Sequence, residues 1–232
     1  MDDKLVNIDT ASSRLNILTQ VDSSLQFVGL TFTGNKYYTI KNHSNSPSLY
    51  EISMDGKIKY IGNFTYNREQ IKLYEAIAYN RLDNKLYISV SLNGGTSDGD
   101  SYSESLLTVN TENGVCTFFC NVQTDVPNTD IDCMEIKNNL LCFYDGALPG
   151  ANYTKMYAAN LDDISETILQ PIYQTYYFPV PDIALRNNKM YFINGDVYYI
   201  DLNDNSINTV GQSLDLNEFN NTTFRGITFI SE

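Results

Sequence analysis

The sequence predicts an all-β fold made of one four-stranded unit repeated along the chain, and three observations predict it. Apolar and polar residues alternate with a period of two over many short segments, the pattern of strands with one buried face. One such segment recurs five times, as Val28-Gly29-Leu30-Thr31-Phe32, Glu75-Ala76-Ile77-Ala78-Tyr79, Asp132-Cys133-Met134-Glu135-Ile136, Pro181-Asp182-Ile183-Ala184-Leu185 and Arg225-Gly226-Ile227-Thr228-Phe229. Between strands stand clusters of Asn, Asp and Gly, which tolerate the left-handed backbone of tight hairpins.

The five copies share columns. The second residue is mostly small (Gly29, Ala76, Cys133, Asp182, Gly226) and the third apolar (Leu30, Ile77, Met134, Ile183, Ile227). The fifth is apolar or aromatic, and successive copies lie 44 to 57 residues apart. After each of the first four copies comes a polar turn and a second strand, at 36–40, 85–89, 140–144 and 189–193. Third strands follow at 49–52, 106–109, 156–159 and 197–200, and fourth strands at 58–61, 115–120, 166–169 and 207–210. Four strands per unit of this length is the period of a β-propeller blade.

The ends of the chain complete the pattern. Leu5-Val6-Asn7-Ile8-Asp9 matches Val197-Tyr198-Tyr199-Ile200-Asp201, a third strand, and 15–18 fits a fourth. The segment 225–230 fits a first strand. The expectation is therefore one five-bladed propeller over 1–232. Blade 1 spans 23–71, blade 2 72–130, blade 3 131–181 and blade 4 182–223. A three-stranded fifth blade is closed by 1–22 together with 224–232. Such closure leaves few free sheet edges.

The small-apolar-small-aromatic first strand and the Tyr-x-Ile-Asp third strand resemble the blade pattern of YVTN/NHL-type propellers. The resemblance implies architecture over nearly the whole chain and no particular activity, because propellers host many functions. With no tryptophan in the chain, the Trp-Asp signature of WD repeats is absent.

Charge narrows the partners. Lys and Arg number 15 against 28 Asp and Glu, a net charge of −13. A field of that sign disfavours nucleic acid and membrane surfaces and favours basic ligands. No apolar run is long enough for a spanning helix. Met1-Asp2-Asp3-Lys4 lacks the basic and apolar regions of a signal peptide, so a cytoplasmic location is expected. The single histidine, His43, removes most zinc sites and makes any histidine-based triad depend on that one residue. Cys116, Cys120, Cys133 and Cys142 have no CxxC spacing and read as small core residues in a reducing compartment. Cys116 and Cys120, four apart on a strand, are expected on one face. No phosphate-cradling glycine loop precedes a helix, and no cofactor is expected.

Loop lengths point to one face. First-to-second and third-to-fourth connections are short. Second-to-third connections (41–47, 92–104, 145–154) and fourth-to-first connections (63–73, 121–130, 170–179, 211–223) are long and share the opposite rim. Long loops on a rigid scaffold usually carry binding residues. Three features of that rim have chemical potential. Glu75, Asp132, Asp182 and Arg225 open first strands and converge on the channel mouth, with Glu135 nearby; Arg225 can pair with Glu75 or Asp132 to close it. Tyr173, Tyr176 and Tyr177, with Phe178 beside them, form an aromatic patch, and Tyr66 lies in an equivalent loop. Asp98, Asp100 and Glu104 offer oxygens to a calcium ion, with spacing that departs from an EF-hand. The expected function is non-catalytic binding of a protein or peptide, possible basic partners included. The alternative is a carbohydrate-binding lectin, or a glycosidase using the channel carboxylates.

Overall fold

Strand-forming alternation and turn-forming asparagine together decide the architecture. The computed structural model describes residues 3–9, 14–21, 25, 27–41, 47–71, 76–92, 104–125, 129–145, 153–176, 182–194 and 196–210. Strands β1 (Asp3–Asp9) and β2 (Arg14–Val21) form an antiparallel pair. Blade 1 is β3 (Phe27–Phe32), β4 (Lys36–Lys41), β5 (Ser48–Ser53) and β6 (Ile58–Asn63). A small hairpin follows, β7 (Thr65–Tyr66) and β8 (Glu69–Gln70). Blade 2 is β9 (Ile77–Asn80), β10 (Lys85–Ser91), β11 (Glu104–Val109) and β12 (Cys116–Val122). Blade 3 is β13 (Ile131–Lys137), β14 (Leu140–Asp145), β15 (Tyr153–Asn160) and β16 (Tyr173–Tyr176). Blade 4 is β17 (Ile183–Arg186), β18 (Lys189–Asn194), β19 (Asp196–Asp201) and β20 (Ser206–Thr209).

Each blade is an antiparallel meander in sequence order, and the first strands β3, β9, β13 and β17 are successive neighbours at the centre. This is a propeller-like all-β fold. Four complete blades stand among the described residues, where the sequence predicted five. The β1–β2 pair, a separate two-stranded sheet, stands where the sequence predicts the third and fourth strands of the fifth. The expected closing segment, 224–232, lies outside the described residues.

Period-two alternation sends neighbouring residues to opposite blade interfaces. Leu86, Ile88 and Val90 of β10 pack toward blade 1 with Tyr38, Ile40 and Leu49. Tyr87, between them, packs toward blade 3 with Met134, Leu141 and Phe143. Between blades 3 and 4 the core is Cys133, Cys142, Met156, Ile183, Met190 and Phe192. Fully burying one such side chain is worth about 1.5–3 kcal/mol, so the blade interfaces hold the ring together. The small second column has a steric cause at Gly29. Its φ is +62°, and a Cβ there would meet Ile77 Cγ2 at 2.8 Å.

Asparagine builds the short-loop rim. Asn138-Asn139 and Asn187-Asn188 take positive φ at both positions, the conformation of a type I′ hairpin turn. The Asn80 amide donates to Asn139 Oδ1 at 3.0 Å and the Asn139 amide to Asn160 Oδ1 at 3.2 Å, tying blade 2 to blade 3. Asn80, Asn110, Asn160 and Asp201 each accept the backbone N–H two residues on through a side-chain oxygen.

Two expectations are corrected. Cys116 and Cys120 do not share a face. The register shifts between Leu106 and Leu107 opposite β12, so Leu106 pairs Cys120 while Leu107 pairs Phe118. That bulge at Phe119 sends Cys116 toward blade 1 and Cys120 toward blade 3. The fourth strand of blade 3 is 173–176 and not 166–169. Ile164–Glu166 instead form a 3-10 turn, pinned by buried Leu161, Ile164 and Leu169 against blade 2. All four cysteines are free and buried, and burial pushes the Cys116, Cys120 and Cys142 thiols up to about 12, 11 and 12. They are core residues and not nucleophiles at neutral pH.

Candidate functional site

An antiparallel hairpin places the start of its first strand beside the end of its second. In blade 3, Ile131 therefore pairs Asp145, and the register slips between Ile131 and Cys133, which leaves Asp132 on a bulge. Three acidic residues lie at that end of the blade, on the long-loop rim. Asp132 is exposed, Asp130 half-buried and Asp145 buried at 5% exposure. Asp145 Oδ1 accepts the Asp130 backbone N–H at 3.4 Å, while its Oδ2 is buried with no hydrogen-bond partner among the described residues. Burial pushes the Asp145 carboxyl up to about 7, and the charges of Asp130 and Asp132 push the same way. Burial also raises Asp130.

A second group borders the first. Lys155 Nζ lies 2.6 Å from Asp125 Oδ2, and the Tyr157 hydroxyl donates to Asp125 Oδ1 at 2.6 Å. Burial opposes ionisation of Asp125, but these two donors hold its carboxyl below the ordinary range. Two β-bridge-like backbone bonds fix Asp125 from below: Asp125 N–H donates to Leu169 O at 3.0 Å and Leu169 N–H to Gln123 O at 2.9 Å. Thr124 and Thr129 join hydroxyls at 2.8 Å across the base of the same loop.

The channel carboxylates behave differently from the sequence expectation. Asp182 is buried at 3% exposure. Its Oδ1 accepts the Ile183 N–H at 2.9 Å and its Oδ2 the Leu30 N–H at 3.3 Å. It thus binds backbone amides of the first strands of blades 4 and 1, a fastening role within the ring. Glu135, on β13, feels the negative charge of Asp182, and its Oε2 is buried without a hydrogen-bond partner among the described residues. Burial above all raises its carboxyl well above the ordinary range. Glu75 and Arg225 lie outside the described residues, as does their expected pairing.

The tyrosines also sort. Tyr173 belongs to β16 opposite Met156, not to a loop, and is half-buried against the blade 3–4 core. Tyr176 ends the same strand, opposite Tyr153. Tyr66 lies in the β7–β8 hairpin, half-buried against the blade 1–2 core. Tyr177 lies outside the described residues, as do Asp98 and Asp100. Glu104 opens β11 in register with Ser91 and is buried at 2% exposure. Among the described residues no group of three or more His, Cys, Asp or Glu side chains is arranged to hold a metal ion.

Asp130 and Asp145 are the residues that sequence reasoning passed over as loop ends. The signal was present: pairing 131–136 with 140–145 through a tight Asn-Asn turn sets 145 beside 131. Only the burial of Asp145 needed the fold.

No protein-family model matches the chain, and no curated protein sequence does. Among solved structures, it is similar to TolB from Acinetobacter baumannii (TM-score 0.51, 9% identity, covering 90% of this chain and 49% of that one). It is similar also to a putative TolB from Agrobacterium tumefaciens (TM-score 0.50, 10% identity, 89% of this chain and 68% of that one). The crystal structure of Myxococcus xanthus glutaminyl cyclase superposes at TM-score 0.49 with 14% identity. The chain spans about half the length of the first of these. The likeness to the two TolB structures defines the class, a β-propeller, and at these identities it extends to the fold alone.

Proposed function

We propose that the chain is a five-bladed propeller, closed by strands from both ends, that acts as a non-catalytic module binding a protein or peptide on its long-loop rim. One observation carries the reading: the long-loop end of blade 3 gathers charged side chains, whereas the short-loop turns are fastened mainly by amides. On the short-loop rim asparagine side chains bind one another and the backbone. The long-loop rim gathers Asp125, Asp130, Asp132, Asp145, Lys155 and Tyr157 in one place and leaves a buried carboxylate oxygen unpaired. A net charge of −13 favours a ligand with positive charge. The engagement of Asp182 by backbone amides weighs against the channel carboxylates acting together on a sugar.

Selection of binders from a displayed random-peptide library tests the reading. Binders are expected to compete with one another. Simultaneous alanine replacement of Glu75, Asp132, Tyr176 and Tyr177 should weaken them by about tenfold or more. Failure to select binders, or binders indifferent to that variant, would overturn the reading. Saturable binding on a glycan array instead would favour the carbohydrate alternative.

A further inference from the structure

We infer that the acidic corner formed by Asp145, Asp130 and Asp132 at the blade 2–blade 3 junction is a subsite for a ligand's cationic group, a primary ammonium or guanidinium. The inference rests on the reading above that this rim binds a peptide, and it names the chemistry that the rim selects. Acidic residues alone at a surface would be solvated and would need no ligand. Asp145 is different, because it is more than nine-tenths buried and its Oδ2 has no hydrogen-bond donor among the described residues. Its other oxygen turns to the Asp130 backbone N–H, so the carboxyl faces the cluster. A buried carboxylate oxygen without a donor is costly, and one that a native fold keeps calls for a partner or a functional role.

The nearby cation does not complete it. Lys155 acts on Asp145 electrostatically, but its ammonium sits 2.6 Å from Asp125 Oδ2, and the Tyr157 hydroxyl holds the other oxygen of the same carboxylate. Lys155 and Asp125 thus cancel each other at the border of the site. Bare metal is the weaker occupant, since the described acidic side chains do not form a metal-holding group. An alkylammonium or guanidinium brings several donors on one charge. On a local opening of the rim over Asp145 Oδ2 it would donate to that oxygen, while Asp132, exposed on its bulge, adds long-range attraction.

The test uses the intact chain and the selected peptides. Their consensus is expected to contain a Lys, an Arg or a free N-terminal ammonium. Replacing that cation by norleucine, citrulline or an acetyl cap should weaken binding about tenfold or more. Asp145→Asn should cost a similar factor, whereas Glu112→Gln, an exposed acid on the opposite rim, should cost less than about twofold. The melting temperature of Asp145→Asn, measured alongside, separates lost binding from lost folding. If binders respond to the four-residue rim variant yet carry no required cation, or bind Asp145→Asn unchanged, the cation subsite is wrong and the peptide reading stands. If no peptide binds at all, both fall together.

Discussion

The two rims of this propeller are built from the same strands and solve opposite problems. On the short-loop rim most described reversals take two to six residues, the 161–172 connection of blade 3 being the long exception, and several turn N–H groups are met by an Asn or Asp side chain close in sequence. The asparagine doublets adopt left-handed φ at low cost and then hydrogen-bond across blades. On the long-loop rim, carboxylates from different strands crowd together, and Asp145 stays buried with an unpaired oxygen. The first rim is arranged for stability and the second tolerates instability. Residues retained at a cost in stability are where ligands usually act.

The largest expected effect breaks the stable rim. Asn139 has φ +66°, accepts from Asn80 and donates to Asn160. Asn139→Val puts a β-branched residue in left-handed backbone and strands the buried Asn80 amide. The expected loss is about 3 kcal/mol of unfolding free energy, read by urea denaturation. A loss below about 1 kcal/mol would mean that the asparagine belt is decoration and the contrast between rims is false.

How much of this was legible follows from the same contrast. The short-loop rim is local. Alternation, a doublet such as Asn187-Asn188 and a Tyr-x-Ile-Asp strand predict the register residue by residue, and β3 to β6, β9 to β15 and β17 to β20 lie close to where the sequence places them. The failures are non-local. Nothing within 166–169 reveals that Leu169 will pack on blade 2 and push the fourth strand on to 173–176, carrying Tyr173 out of the loop. Nothing between Cys116 and Cys120 reveals a bulge, which depends on how β11 pairs. The acidic character of Asp132 was legible, but the burial of Asp145 depends on elements far away in sequence. Asp182 was expected to face a ligand because of its column, yet the backbone of blade 1, 152 residues distant, claims it.

The next effect sharpens the comparison by reversing its sign. An Asp in the unfolded chain titrates near the ordinary 3.8, whereas folding pushes Asp145 to about 7, chiefly by burial, with Asp130 and Asp132 adding to it and the Asp130 N–H and Lys155 opposing it. Between those values the folded chain binds a proton that the unfolded chain has lost. The contribution of Asp145 to stability is therefore most favourable at acid pH and falls as pH rises from about 4 to about 7. Asp145→Asn removes that dependence. The variant should match the parent at pH 4 and exceed it at pH 8, by up to about 4 kcal/mol. Paired urea titrations at the two pH values check this, and equal differences at both would show that Asp145 is not strained by its burial. A substitution on the functional rim that stabilises, set against one on the asparagine rim that destabilises, is the comparison in its simplest form.

The smallest effects come from two ion pairs of equal length, one on each rim. Lys155–Asp125 and Lys57–Asp55 are both 2.6 Å apart. Distance alone would make them equivalent. Lys57 and Asp55 have side chains 84% and 57% exposed, so water and salt screen them and the ordering of two mobile side chains offsets the attraction. Lys155 and Asp125 are 17% and 25% exposed, and Tyr157 adds a second bond to the same carboxylate. Lys57→Met should leave the melting curve unchanged. Lys155→Met should cost about 1 kcal/mol, because Asp125 loses its counter-charge in a half-buried place. Added salt should recover part of that loss. Equal effects from the two substitutions would mean that the long-loop rim is as solvated as the other, and then the unpaired oxygen of Asp145 would have water and not a ligand as its natural partner.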